Sequence, residues 1–180
     1  HELDGVIVMG TGHQPAPMVI AGKVLADAVR LIKGDRYRSR LISKIMFGAY
    51  NKRIKNVRTV NDWLTRDEAV VDEYKAGKLT TFLFTVNGYR GLMNMILYVR
   101  KPRNIERIPK NLPMLMISGL DDPVGEYGKG VYRAYNSYHG HIDDIDLRLY
   151  KDCRHELCNE LNKEEIYEEI HGWIMDHMSK

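Results

Sequence analysis

The chain has 180 residues, enough for one domain with a sizeable core. Hydrophobic residues make up 44% and charged residues 28%, the ordinary range for globular chains, with no apolar run of transmembrane length and no signal-peptide pattern. Lys and Arg number 27 against 24 Asp and Glu, and a net charge of +3 is too small to argue for a nucleic-acid partner.

In chain order, the first element is Val6 to Met9, a short β-branched apolar run bounded by glycines in Asp4-Gly-Val-Ile-Val-Met-Gly-Thr-Gly12. Such a run predicts a buried parallel strand. Roughly a hundred residues without strand rhythm follow, well beyond the usual crossover length. Within them, Ala21 to Leu31 has helical spacing at Val24, Leu25, Ala28 and Leu31 or Ile32. Asn61-Asp62-Trp63-Leu64-Thr65-Arg66-Asp67 is expected to open a second helix running through Tyr74, and Tyr89 to Tyr98 a third. Residues 13–105 therefore read as a helical cap inserted into a core made of 1–12 and 106–180. Its methionines and aromatics either line an acyl pocket or pack the cap onto the core.

The insert is basic at its start. Arg30, Lys33, Arg36, Arg38, Arg40, Lys44, Lys52, Arg53, Lys55 and Arg58 are opposed only by Asp35. This segment is either a solvated helical face or a contact with anionic lipid head groups or acidic substrates, which would make it a peripheral membrane contact in the lipid case.

A second apolar run, Leu112-Pro-Met-Leu-Met-Ile-Ser-Gly119, and a third segment, Asp146 to Tyr150, are the next strands. Helical patterns separate them and follow the last, which implies right-handed βαβ connections and an α/β class with a mostly parallel sheet. In the final helix Asn162 is a candidate cap, with Glu165 three residues on. Ile166, Ile170, Trp173 and Ile174 then make an apolar stripe that should face the sheet. There are no internal repeats and no low-complexity segment.

In α/β sheets functional groups gather beyond the carboxyl ends of the strands. One strand end leads into Gly119-Leu-Asp-Asp122-Pro-Val-Gly125, the next into Lys151-Asp-Cys-Arg-His155-Glu156. An acid followed by a histidine on successive strand-end loops is the order of the last two members of a Ser…Asp…His triad. Asp121 is the rival acid. Glu156 and Glu160 read as surface or helix-entry charges. Thr11 and His13, on the loop after the first strand, either border the substrate or serve the turn, and the remaining histidines face solvent. His155-Glu156-Leu157-Cys158-Asn159 begins like a zinc His-Glu-x-x-His helix, but Asn159 replaces the second histidine. Cys153 and Cys158 form no disulfide framework and point to a reducing, cytoplasmic compartment.

Gly-x-x-Asp-Pro-Val after a buried strand and Arg-His-Glu-Leu after the next resemble the end of the lysophospholipase and monoacylglycerol-lipase-like α/β-hydrolases, the serine aminopeptidase S33-like group. Asp-Gly-Val-Ile with Gly10-Thr11-Gly12 is similar to the strand after that group's nucleophile elbow. Trp63-Leu-Thr-Arg-Asp67 and Phe84-Thr-Val-Asn-Gly-Tyr89 resemble its cap, so the likeness spans nearly the whole chain. It implies Asp122 as triad acid, His155 as triad base, no metal or organic cofactor, and a carboxylic ester substrate such as a lysophospholipid, a monoacylglycerol or a small acyl ester. A serine aminopeptidase-like peptidase and a non-catalytic, hydrolase-derived interaction module are the alternatives.

The chain departs from that pattern in one large respect. No Gly-x-Ser-x-Gly elbow occurs in the 180 residues, nor the upstream oxyanion loop. The first residue is His1 rather than methionine, so the sequence is expected to be the C-terminal portion of a longer enzyme and inactive alone. The Val6–Met9 edge is expected to pair with the absent N-terminal half or with a second copy.

Overall fold

Three short apolar runs set the architecture of the computed structural model, which describes residues 3–178. Strands β1 (Val6–Met9), β2 (Met114–Gly119) and β3 (Ile145–Tyr150) form a parallel sheet in the order β1-β2-β3. The register pairs Val6 with Met114 and Met9 with Ile117, then Met114 with Ile145 and Gly119 with Tyr150.

β2 is buried along its whole length, which is why its sequence is continuously apolar rather than alternating. Side chains still alternate between the two faces. Leu115 and Ile117 pack with Leu157, Ile166 and Trp173, the last two from α7 (Lys163–Met178). Met114 and Met116 pack on the other face with Ala134 of α6 (Lys129–His139) and with Ile142. Each such side chain withdrawn from water contributes about 1.5–3 kcal/mol. The stripe Ile166, Ile170, Trp173 and Ile174 faces the sheet as its spacing implies.

Between β1 and β2 run α1 (Ala16–Lys33), α2 (Arg40–Phe47), α3 (Glu68–Ala76), α4 (Val86–Val99) and α5 (Pro102–Ile105). The first, second and fourth of these share a second apolar core of Val19, Ala26, Ile42, Val86, Tyr89 and Met93. Helix starts follow side-chain capping. Ser39 accepts from the Ile42 amide, Asp67 from Ala69 and Val70, and Thr85 from Gly88.

Capping chemistry also explains where the helical expectation fails. Residues 61–66 form turns, not the first part of a helix. The Asp62 carboxylate accepts from the Arg58 and Thr59 amides, and the Trp63 amide donates to Asn51 Oδ1 at 2.9 Å. These side-chain bonds compete with a helical ladder, so the helix waits for Asp67. At the start of α7, Asn162 is similarly diverted. Its Oδ1 accepts from Arg66 at 2.6 Å, while its Nδ2 reaches Glu165 at 3.4 Å.

The carboxyl ends of β2 and β3 are drawn together by backbone bonds. Leu120 N donates to Tyr150 O at 2.8 Å and Asp121 N to Cys153 O at 2.9 Å. Gly119 permits this approach: a Cβ there would sit inside the contact radius of the Cys153 and Arg154 carbonyl oxygens. Neither backbone can retreat without breaking the sheet end. Gly119→Ala should therefore destabilise the chain by about 3 kcal/mol or more, read as the shift of the urea-unfolding midpoint. A midpoint equal to that of the parent chain would show that the two loops are not in forced contact.

Candidate active site

The two loops held together at the sheet end carry Asp122 and His155. Asp122 lies three residues beyond the end of β2 and is fully buried. Its Oδ1 accepts from the Val124 amide at 2.8 Å, and its Oδ2 accepts from Ser118 Oγ at 3.3 Å. The same Oδ2 lies 3.0 Å from His155 Nδ1. A carboxylate can only accept, so this geometry assigns the imidazole proton to Nδ1 and leaves Nε2 with its lone pair. No other side chain or backbone group bonds Nε2 among the described residues. About a quarter of the His155 side chain is exposed (26%), while Asp122 is at 0%. The arrangement is a buried carboxylate behind a partly open imidazole.

Two different parts of the chain confine the imidazole. Gly10, with φ of 63°, passes so close that a Cβ there would stand 3.0 Å from His155 Cε1. The Trp63 ring lies at a centroid distance of 5.1 Å, tilted by 44°. Behind Trp63 comes Tyr50, edge-on at 4.9 Å, and Phe47 edge-on to Tyr50 at 5.5 Å. Burial, with a smaller push from the Asp122 charge, raises the Tyr50 phenol to about 12. Tyr127, in a left-handed stretch with Glu126 and Gly128, lies under the Arg53 guanidinium at 3.6 Å. Aromatic rings from the segment between β1 and β2 thus stand beside His155, and sequence reasoning did not single out Tyr50 or Tyr127.

The other sequence candidates fall as follows. Asp121 is exposed and holds Cys153 O only through its backbone amide. Glu156 is half-buried and accepts from Asn159 Nδ2 at 2.8 Å. Glu160 is no surface charge: it is fully buried and paired with Arg66 Nε at 2.8 Å. The two residues are 94 positions apart, so local sequence carried no signal of the pair. His141 and His177 do not simply face solvent. His141 Nε2 bonds Ile108 O at 2.7 Å, and His177 stacks on Trp173 at 4.1 Å and meets Asp144 at 3.3 Å. His1 lies outside the described residues. Burial raises the thiols of Cys153 and Cys158, and both are free. Among the described residues no three His, Cys, Asp or Glu side chains gather as metal ligands. No helix among them is long and apolar enough to cross a membrane.

Residues 1–162 match the model of the family described as serine aminopeptidase, S33. No curated protein sequence matches significantly. Among solved structures, a highly thermostable carboxyl esterase from Bacillus coagulans in complex with glycerol superposes with a TM-score of 0.83 at 22% identity, over 98% of this chain and 56% of that one. A lipase in its open form gives 0.81 at 23% identity, over 97% and 57%. A soluble variant of monoglyceride lipase from Saccharomyces cerevisiae, in complex with a substrate analogue, gives 0.69 at 17%, over 98% and 54%. The chain spans a little over half the length of these solved relatives, and at such identities the likeness establishes the fold. It is the α/β-hydrolase fold, represented in part.

Thr11 and His13 line a separate cavity of about 270 Å³ with Val8, Arg100, Met116 and Tyr138. Neither bonds Asp122 or His155 among the described residues. Arg100 donates to His13 Nε2 at 2.6 Å, which needs that nitrogen unprotonated. Burial lowers the His13 pKa from 6.5, and the charges of Arg100 and Arg133 lower it further. Below its unfolded value the unfolded chain therefore binds a proton that the native state refuses. Stability from this site is full above pH 6.5 and is lost as pH falls through that value toward the lower folded pKa. Replacing His13 with Gln should flatten the fall in unfolding free energy between about pH 7.5 and 5, measured by urea titration at each pH. Identical slopes in both proteins would remove His13 as a source of acid sensitivity.

Proposed function

Because this chain belongs to the serine aminopeptidase, S33, family of α/β-hydrolases, we propose that it is the acid-and-base portion of a serine ester hydrolase. The observation that carries the reading is the 3.0 Å approach of Asp122 Oδ2 to His155 Nδ1, with Nε2 left free. In this reading a serine from a Gly-x-Ser-x-Gly segment outside these 180 residues attacks the ester carbonyl. His155 Nε2 takes the serine proton and returns it to the leaving alcohol, and water then releases the acyl group by the same route in reverse. Asp122 holds the imidazole in the required tautomer and stabilises the imidazolium as it forms. Trp63 and Tyr50 belong to a cap, residues 13–105, that walls the site.

Lipid-like or small acyl esters are favoured over peptides by what the insert exposes. Leu31, Ile32, Leu41 and Ile45 are all more than half exposed and lie in the same stretch of chain as exposed Lys33, Arg36, Arg40 and Lys44. Apolar side chains set among cations suit the surface of an anionic lipid aggregate, where such a substrate resides. The carboxyl esterase, lipase and monoglyceride lipase named above lend this reading their own substrates by analogy.

Two outcomes test the assignment. The 180-residue chain alone should neither turn over p-nitrophenyl esters nor be labelled by a fluorophosphonate, since it holds no serine in an elbow. In the complete protein the same probe should label one serine. His155→Ala there should lower turnover by about ten-thousand-fold or more and abolish labelling, with Asp122→Asn severe and Asp121→Asn mild. Undiminished labelling of the His155→Ala protein would sink the proposal.

The same reading assigns a partner to β1. Among the described residues β1 pairs only with β2, so its other side presents unpaired N–H and C=O groups beside half-buried Val6, Ile7 and Val8. A strand from the N-terminal portion of the protein is the occupant we infer. Without it, the purified chain should associate through this edge and sediment above monomer mass in a concentration-dependent way. A stable monomer at high concentration would show that the edge needs no second strand.

A further inference from the structure

We propose that Glu160 is a positioning residue for His155, acting through a polar lock that fastens segment 62–66 of the insert to the loop bearing the histidine. The proposal rests on reading His155 as the base, though the lock itself is a matter of geometry. Glu160 is fully buried, and a buried carboxylate is costly unless several donors satisfy it. Its Oε1 accepts from the Arg154 amide at 2.7 Å and the Arg66 amide at 3.3 Å, and its Oε2 from Arg66 Nε at 2.8 Å and the Leu161 amide at 3.3 Å. One carboxylate therefore ties together the residue before His155, the approach to α7 and a segment from the far side of the insert.

The bonds converge on the residues that flank the histidine. Arg154, just before it, sends its guanidinium to Asp62 O at 2.6 Å and Thr65 O at 2.8 Å. The amide of Glu156, just after it, donates to Leu64 O at 2.7 Å. Thr65 Oγ1 closes the set on Asn159 O at 2.7 Å. Segment 62–66 is thus fixed on both sides of its second residue, Trp63, whose ring lies against the imidazole. With Gly10 close on the imidazole as well, the ring has little room to turn away from Asp122.

An apolar contact would hold these segments together, but it would tolerate sliding between them. Directed hydrogen bonds to a charged group set the register, and a functional side chain needs that precision from its supporting shell.

The test uses the chain itself and the ring-current shift that Trp63 imposes on the His155 Cε1–H resonance. His155→Gln assigns the signal, and Trp63→Leu gives its position without the ring. Glu160→Gln keeps the volume but cannot accept all four bonds. In that variant the His155 signal should move by about half or more of the way to its Trp63→Leu position, measured well below the unfolding temperature. The signal of His177, stacked on Trp173, should stay in place as an internal control. Thr65→Val, which removes the bond to Asn159, should give a smaller shift in the same direction and serves if Glu160→Gln does not fold. A His155 signal that stays put in the folded variants, even with a lowered unfolding temperature, overturns the proposal and leaves Glu160 a purely structural group. No substrate enters the measurement, so a failed lock leaves the hydrolase reading standing. A shifted signal in a protein whose complete form resists fluorophosphonate labelling would do the reverse.

Discussion

Among the described residues two carboxylates, Asp122 and Glu160, are fully buried, and the arrangement around His155 follows from how each is satisfied. A carboxylate withdrawn from water is destabilising by several kcal/mol unless donors replace its hydration. Asp122 finds the Val124 amide, the Ser118 hydroxyl and the His155 imidazole. Glu160 finds three backbone amides and the guanidinium of Arg66. The first requirement draws the imidazole toward β2, and the second draws a distant segment of the insert over it. Gly119 allows the two loops to meet closely enough for both to be fulfilled.

These requirements divide the labour between core and insert. The sheet supplies the acid and the strand-end loops, which are rigid because β2 is covered on both faces. The insert supplies the ring that backs the histidine, through the series Phe47, Tyr50, Trp63 and His155. Phe47 also packs against the apolar core formed by α1, α2 and α4, so the wall is anchored in a packed unit rather than in a free loop.

Much of this was legible in sequence for a simple reason. Buried parallel strands are apolar throughout, so Met114–Gly119 announces itself; Val6–Met9 gives the same apolar signal, yet it is only half-buried here, with Met9 exposed, because it lies at the sheet edge. Asp122 and His155 lie within a few residues of strand ends. The final helix was legible by its stripe. The turn at 61–66 was not, because Asp62 and Thr65 suit a helix start as well as the side-chain bonds they make here. Glu160 was misread because a lone glutamate before a helix looks like a solvated charge, and only a partner 94 positions earlier makes it an interior group. Tyr50 was missed for the same reason: its place beside Asp122 is tertiary.

The edge of β1 and the free nitrogen of His155 bear on one another through Gly10. This residue ends β1, bonds Ile117 O at 2.9 Å and closely approaches the imidazole. A further strand paired with β1 lies one interstrand spacing away, about 4.8 Å. If it runs parallel, its carboxyl end comes out beside Gly10, and functional groups in such sheets gather beyond that end. On the proposed reading, the strand that covers the open edge is thus also the one able to present a nucleophile to Nε2. Association of the chain with itself through the same edge would satisfy the backbone but bring another Val6–Met9 there, with no serine on it. Filling the edge and completing the chemistry are separate physical events, and only the first is open to a second copy of this chain.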